Sequence, residues 1–228
     1  MKIIKQISCK NCPDKCDIYR AAKEIGVADN FETLHALFRK HEIISKSGTD
    51  VTHSIYIVKG YAKLIIDGIN NRDIILYILR KHNYIGLLSF FESVKYSYTA
   101  VALDDCHVCM VDIDFVKRLY FSNHPFLIKL NGAFGKSVSE IFRKIISINQ
   151  KQIRGRIAEC ILYLSRLYQS NKFNLGVTRK EIGEMAAISE ENAVRVLTEF
   201  RKEGIVSIRG KEMEIIDLKQ INRISELG

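Results

Sequence analysis

From Gly176 to Ile216 the chain reads GVTRKEIGEMAAISEENAVRVLTEFRKEGIVSIRGKEMEII, and its punctuation leaves few alternatives to helix, tight turn, helix and hairpin. Thr178 with Glu181 is a T-x-x-E capping box: the hydroxyl can accept the Glu181 backbone N–H while the carboxylate reaches back to the Thr178 N–H. The box predicts a helix starting at Arg179. Ile182, Met185 and Ala186 recur at three and four and form one buried stripe. Ala187-Ile188 then leads to Ser189, a good N-cap for a second helix. In that helix Ala193, Val196, Leu197 and Phe200 face inward, which leaves Glu190, Glu191, Arg195, Thr198 and Arg201 outside. Gly204 stands where a helix end wants a left-handed residue, and IVSIRGKEMEII follows as two strand-like runs around Arg209-Gly210-Lys211.

Two short helices about four residues apart match a helix-turn-helix, and the following hairpin reads as a wing. Such geometry also occurs in proteins that never touch DNA. The capping box, turn, outward arginine and wing occur here in the order that DNA binding requires, which favours a nucleic-acid partner. The net charge of +9 agrees, from 35 Lys+Arg against 26 Asp+Glu. Its distribution does not add much: Arg154 to Gly228 hold 13 basic and 11 acidic residues, only +2. The case for DNA therefore rests on the motif, with a few well-placed basic groups rather than a broad field.

At 228 residues, two ordinary domains are expected. A hydrophobic share of 47% with 27% charged residues is that of a globular chain rather than a disordered one. The start, MKIIKQISCK, lacks the apolar core of a secretory signal, and no window approaches eighteen apolar residues. The expectation is a cytoplasmic protein without a membrane partner, its cysteines reduced or metal-bound.

Residues 38 to 115 read as short β-runs. HSIYIVKGYAKLIIDGINNRDIILYIL holds three of them, separated by Lys59-Gly60 and by Asp67 to Asn71, which suggests an antiparallel sandwich or barrel. After Pro125 the period changes: Leu127, Phe134, Val138, Ile141, Ile145 and Ile148 fall on a and d positions of a heptad. Such a seam can pack on its own domain. Placed directly before a DNA-binding domain it points to a homodimer, since paired recognition helices need a two-fold axis. Residues 156 to 169 form another amphipathic helix with Ile157, Cys160, Ile161, Leu164 and Leu167 inward, Cys160 being a small core residue.

β-strands, long helix and winged helix-turn-helix, in this order, resemble the cyclic-AMP receptor protein and fumarate-nitrate reduction regulator family over nearly the whole chain. The most specific pieces are T-R-K-E-I-G at Thr178 to Gly183 and S-E-E-N-A-V-R at Ser189 to Arg195. The resemblance implies an α+β fold. An N-terminal antiparallel β-roll, a cupin-like double-stranded β-helix, is followed by a dimerisation helix and a C-terminal winged helix-turn-helix. Boundaries are expected at 1–28 for a cysteine-containing arm, 29–122 for a sensor β-roll, 123–153 for the dimer helix and 154–228 for the DNA-binding domain. It implies phosphate anchoring by Thr178, Arg179 and Lys180, and operator reading by Ser189, Glu190, Glu191, Asn192 and Arg195. Glu191 and Arg195, spaced i and i+4, match the family's reading pair. Arginine offers a fork to guanine O6 and N7, glutamate accepts from cytosine N4, and each would steady the other across one turn. Two positions depart from the pattern: Ala187 replaces the usual turn glycine, and Val194 stands where a small or polar residue is common.

Cys9, Cys12 and Cys16 form C-x2-C-x3-C around Pro13, so three thiolates can converge on one metal centre that lacks a fourth ligand. Cys106 and Cys109 are three apart and point to opposite faces of a strand, so one of them at most is the partner. The resemblance implies Cys109, within ALDDCHVCMV, and a [4Fe-4S] cluster on Cys9, Cys12, Cys16 and Cys109 that responds to oxygen, nitric oxide or redox state. The cysteine spacing departs from that of the family's oxygen sensor, and structural zinc, a dithiol switch and unliganded cysteines are the competing readings. The family's other input is a cyclic nucleotide. Its phosphate-clamping Arg-Ser pair falls on Tyr96-Ser97, and the acidic residue after the cassette glycine is absent from YIGLLSFFES around Gly86. Lys95 would replace the missing fork only as a point charge, so cyclic AMP is not expected. Expected partners are a double-stranded DNA operator, a second copy of the chain and RNA polymerase. A ligand-binding module with a protein-contact output is the competing class. No catalytic triad, carboxylate pair or phosphate loop appears, and His35, His41, His53, His82, His107 and His124 lack ligand spacing, so no enzymatic activity is expected.

Overall fold

The computed structural model describes residues 2–4, 9–12, 14–29, 31–69, 72–86, 89–90 and 95–228. Pro13, Asn70-Asn71, Leu87-Leu88 and residues 91–94, each part of a segment read above, lie outside them. The chain divides into two compact units, Met1–Ile66 with Tyr77–Glu140, and Asp67–Leu76 with Ile141–Gly228.

The described strands of the first fold are β1 (Lys2–Ile4), β2 (Thr33–Phe38), β3 (Ile43–Ser45), β4 (His53–Lys59), β5 (Ala62–Ile66), β6 (Ile74–Leu79), β7 (Tyr84–Ile85), β8 (Thr99–Ala102) and β9 (Cys106–Asp112). They make two antiparallel sheets, ordered β1-β2-β9-β4-β7 and β3-β8-β5-β6. The period of two decides which residues enter the interior. Ala36 and Phe38 are buried while Leu37 between them is 39% exposed. On β9, Cys106 and Val108 sit opposite Phe38 and Ala36 and share their face, whereas Cys109 sits opposite His35 on the other.

Three helices follow in chain order: α1 (Asp17–Glu24), α2 (Ile113–Ser122) and α3 (His124–Gln150), the last of which runs from the first unit into the second at Ile141. Asp112 caps α2 by accepting the Phe115 N–H at 2.8 Å. Asn123 separates α2 from α3 and caps the latter, its Oδ1 accepting the Phe126 N–H at 2.9 Å. Pro125 follows in the first turn, where its missing N–H costs nothing. Phe126 and Leu130 are the buried residues of the first turns of α3. The expected seam lies elsewhere on the helix: Leu127, Phe134, Val138, Ile141 and Ile148 are only half-buried and Ile145 is 50% exposed.

The second unit contains α4 (Ile153–Tyr168), β10 (Lys172–Asn174), α5 (Arg179–Ala186), α6 (Glu190–Lys202), β11 (Val206–Arg209), β12 (Glu212–Ile215) and α7 (Leu218–Leu227). α4 buries Ile157, Cys160, Ile161 and Leu164 as its periodicity predicts, and Leu162 is buried where Leu167 is only half so. β11 and β12 form the expected hairpin, and β10 adds to its edge to give the order β10-β12-β11. Among the described residues no helix is long and apolar enough to cross a membrane.

Candidate nucleic-acid interface and cysteine centre

The capping box at the start of α5 is formed in both directions: Glu181 N–H donates to Thr178 Oγ1 at 3.1 Å, and Thr178 N–H donates to Glu181 Oε2 at 2.6 Å. The Thr178 hydroxyl hydrogen is left to donate outward. Half-buried Arg179 and exposed Lys180 stand beside it at the positive end of the helix. That is a fitting environment for a phosphate oxygen.

α5 ends at Ala187, which adopts φ 52°, ψ 48°, the left-handed conformation that a glycine usually supplies. An alanine can be held there at a cost of about 1–2 kcal/mol, so the substitution leaves the turn in place. The turn is tight because the Ile188 N–H bonds to Gly183 O at 3.0 Å. A Cβ on Gly183 would lie 2.9 Å from the Ile188 carbonyl oxygen, a backbone atom with little room to retreat. Gly183→Ala is therefore expected to destabilise this unit by about 1–3 kcal/mol, the usual cost of overpacking, read as a fall in thermal midpoint.

Ser189 caps α6 by accepting the Asn192 N–H at 3.3 Å. Ala193, Val196, Leu197 and Phe200 are buried, as the stripe requires, and Gly204 follows the helix with φ +71°. Glu190, Glu191 and Arg195 are exposed, Asn192 half-exposed, and Val194 adds an apolar group that is 43% exposed. The expected Glu191–Arg195 pair is not formed. Arg195 instead donates Nη1 to Glu199 Oε1 at 2.7 Å and Nη2 to Asn192 Oδ1 at 3.4 Å. Glu191 turns to the helix start, where its own N–H and Ser189 hold its carboxyl below the usual range. The reason is local: a carboxylate in the first turn finds unsatisfied N–H groups and the positive end of the helix, so it has less need of a cation one turn on.

The four cysteines that the resemblance implies surround one small cavity of about 10 Å3, lined by Cys9, Cys12, Cys16 and Cys109 with Asp14, Tyr19, Tyr56 and Val58. Cys109 enters from β9, Cys16 stands at the N-cap of α1, and Cys9 and Cys12 come from the preceding turn. That turn is closed by Lys15, whose ammonium donates to the carbonyls of Cys9 at 3.1 Å and Lys10 at 2.6 Å. Cys9 Sγ donates to Thr33 Oγ1 at 3.9 Å. Cys106 lies fully buried on the other face of β9. Burial pushes the Cys16 thiol up to about 11 although the Tyr19 and Ile18 N–H groups at the helix start oppose it. Burial, with the neighbouring Cys16, Cys9 and Cys12, pushes Cys109 up further. A bound metal would hold the four as thiolates.

The donor set fits a four-thiolate centre in kind and number. Among the described residues, though, no three His, Cys, Asp or Glu side chains are gathered closely enough to hold a metal ion as they stand. The cavity has about the room one water needs, so a cluster would require the turn carrying Cys9 and Cys12 to open. Next to Cys109, His35 Nδ1 lies 2.9 Å from His107 Nε2, and burial lowers the pKa of both rings. Spacing along the sequence gives no sign of this pair, because 72 residues separate its members.

Tyr96 is the residue that the resemblance sets at the cyclic-nucleotide clamp. Its ring packs 3.2 Å from where a Cβ on Gly86 would be, and its hydroxyl donates to the His53 carbonyl at 3.2 Å. The Gly86 N–H donates to the Tyr98 hydroxyl at 2.7 Å.

Comparison with known proteins extends this geometry. The cyclic nucleotide-binding domain family matches residues 36–123, and the Crp-like helix-turn-helix domain family matches residues 155–224. The chain is 25% identical over 165 residues to the cAMP-activated global transcriptional regulator CRP of Salmonella typhimurium, a stretch covering 70% of this chain and 79% of that protein. The chain belongs to the Crp/Fnr family of transcription regulators. It is thus a DNA-binding regulator with a sensor domain, in the fold that family shares. Its fold is that of FixK2 from Bradyrhizobium japonicum, with TM-score 0.77 at 16% identity over 84% of this chain and 96% of the other. It is equally that of the c-di-GMP responsive regulator CLP of Xanthomonas campestris, with TM-score 0.70 at 19% identity over 81% and 94%. One relative is named for cyclic AMP and a structural neighbour for c-di-GMP, so this Crp/Fnr fold does not by itself fix the input.

Proposed function

We propose that this Crp/Fnr regulator acts as a homodimer whose operator binding is controlled from a metal centre on Cys9, Cys12, Cys16 and Cys109. The observation that carries this reading is the convergence of those four thiols, from two separate parts of the chain, on one cavity. An iron–sulfur cluster bound there would supply sensitivity to oxygen, nitric oxide or redox state.

The surrounding residues can pass a change in the arm to the long helix. α1 begins at the residue after Cys16, and Asn123 donates from Nδ2 to Ala21 O and Glu24 Oε2 at 3.4 and 2.9 Å while capping α3 through Oδ1. Lys129, nearly two turns further along α3, pairs with Asp17 of α1 at 2.5 Å. A displacement of Cys16 therefore pulls on α1, and α1 is tied to the first turns of the helix that carries the seam. The effector is not a cyclic nucleotide in this reading, because Tyr96 fills the clamp position with a neutral phenol in place of the arginine fork.

Anaerobic preparation tests the centre. The expected result is a brown protein with about four iron and four sulfide per chain, and Cys109→Ser losing most of both. The small cavity favours a second reading, a single structural zinc, which would give a colourless protein with about one zinc per chain. Protein containing neither metal would remove the centre from the proposal.

A further inference from the structure

Arg195 is tied to a chain of charges that starts outside its own helix. Glu199 has both oxygens engaged: Oε1 accepts from Arg195 Nη1 at 2.7 Å and Oε2 from Arg154 Nη1 at 2.9 Å. Arg154, the second residue of α4, is itself held by Glu203, with Nη1 to Oε1 at 2.9 Å and Nη2 to Oε2 at 2.7 Å. Its guanidinium lies 4.9 Å from the centroid of the Phe200 ring, which is fully buried.

We infer that Glu199 and Arg154 are positioning residues that aim Arg195 at its base, an inference that rests on Arg195 being the residue that reads guanine. A lone exposed i,i+4 ion pair would do little to orient anything, since it trades one loose geometry for another. Here the acceptor is not loose. Glu199 is pinned from its second oxygen by a planar group that is itself forked to Glu203 and stacked on a core ring. Two of the five N–H groups of Arg195 are used, by Glu199 and Asn192, so three are left to present to a base edge. Part of the ordering of a long side chain is then already done when DNA arrives, which favours the correct base over backbone contact alone.

Charge supports the same assignment. α6 carries Glu190, Glu191 and Glu199 against Arg195, Arg201 and Lys202, so its reading helix brings no net attraction to phosphate. An uncompensated Glu199 would repel the duplex. Arg154 neutralises it from the side facing α4, so the carboxylate can orient Arg195 without that penalty.

The test compares the full chain with its Glu199→Gln, Arg154→Gln and Arg195→Ala variants. Preferred duplexes are selected from a random pool, and affinity is then measured for the selected site and for a random duplex of equal length. For Glu199→Gln the preference for the selected site is expected to fall about fivefold, the lower end of what an arginine–guanine fork supplies. The guanine opposite Arg195 should become a mixed position, and random-duplex affinity should hold or rise because one negative charge is gone. Arg154→Gln should lower the preference in the same way but weaken random-duplex binding as well, because it leaves Glu199 uncompensated; if it fails to fold, the half-buried Glu199→Gln still decides. Both variants keeping the original site and a preference within twofold of the unaltered chain would overturn the inference. Should Arg195→Ala also leave the preference unchanged, the reading role of Arg195 falls first and the relay with it. A relay failure alone shows Arg195→Ala losing preference while Glu199→Gln does not.

Discussion

In the proposed homodimer, Val138→Glu combined with Ile145→Glu is expected to shift sedimentation from twice 26.2 kDa to a 26.2 kDa monomer. Operator affinity should fall by about 10²–10⁴-fold. Both residues are on the a/d seam of α3, seven apart, where one copy would meet the same residue of the other. Ile145 is 50% exposed and Val138 half-buried, so neither carboxylate is forced into the interior of a single chain and the monomer should stay folded. In a dimer the four charges face one another across an apolar seam, and desolvating them costs several kcal/mol each. Loss of the second recognition helix removes the advantage of binding two half-sites at once, which sets the size of the effect. Sedimentation and fluorescence anisotropy on one preparation check both parts. A doubly substituted protein that stays dimeric and binds as before would place the dimer contact on another face, with Phe142 and Ile146, also 60% and 50% exposed, the next residues to substitute.

The long helix α3 was legible because a heptad needs only spacing, and the same holds for most of the winged helix-turn-helix. A capping box is settled within four residues, so Thr178 and Glu181 announce α5 without any tertiary information. Strand alternation likewise separates Cys106 from Cys109 before the sheet is seen, which is how a sequence can say that one of them faces the arm. What stayed hidden depends on neighbours distant along the chain. Arg195 has acids at both i−4 and i+4, and its choice of Glu199 over Glu191 follows from the pull of the α6 start on Glu191 and from Arg154, 45 residues from Glu199. β10 is too short to show a period and exists because β12 offers an edge. α1 and α7 were missed for another reason. Each is short and amphipathic, and each sits beside a feature, the cysteine run and the wing, that draws the local pattern to itself. Asp217, accepting the Gln220 N–H at 2.8 Å, was an available signal for α7. The cysteine cavity is the intermediate case: spacing gives three thiols, topology brings the fourth, and the metal is decided by neither.

Arg195→Ala should cost the operator about 1–3 kcal/mol per half-site, and twice that across a palindrome read by a dimer. The loss should fall on the preferred sequence alone. A guanidinium forked to guanine contributes to discrimination, whereas a lysine on phosphate contributes equally to every sequence and to the salt dependence. Affinity for random duplex is therefore expected to change little, and the slope of log affinity against log salt by much less than the ~0.9 that each lost phosphate contact would take away. Folding should be unaffected, since Arg195 is exposed and its bonds to Glu199 and Asn192 are worth only a few tenths of a kcal/mol. These three readouts separate base reading from the alternative in which the arginine only supports its helix. A structural arginine would lower the melting temperature and weaken all DNA alike, while a phosphate contact would leave the melting temperature and flatten the salt dependence. Only a base contact removes the preference and leaves both the others in place. Since Arg179, Lys180 and the α5 N-terminus are untouched by the substitution, residual binding to random duplex should persist and show that the domain still docks. A variant that kept its full preference would move base reading to the remaining outward groups of α6, with Glu190, Asn192 and the exposed Val194 in first place.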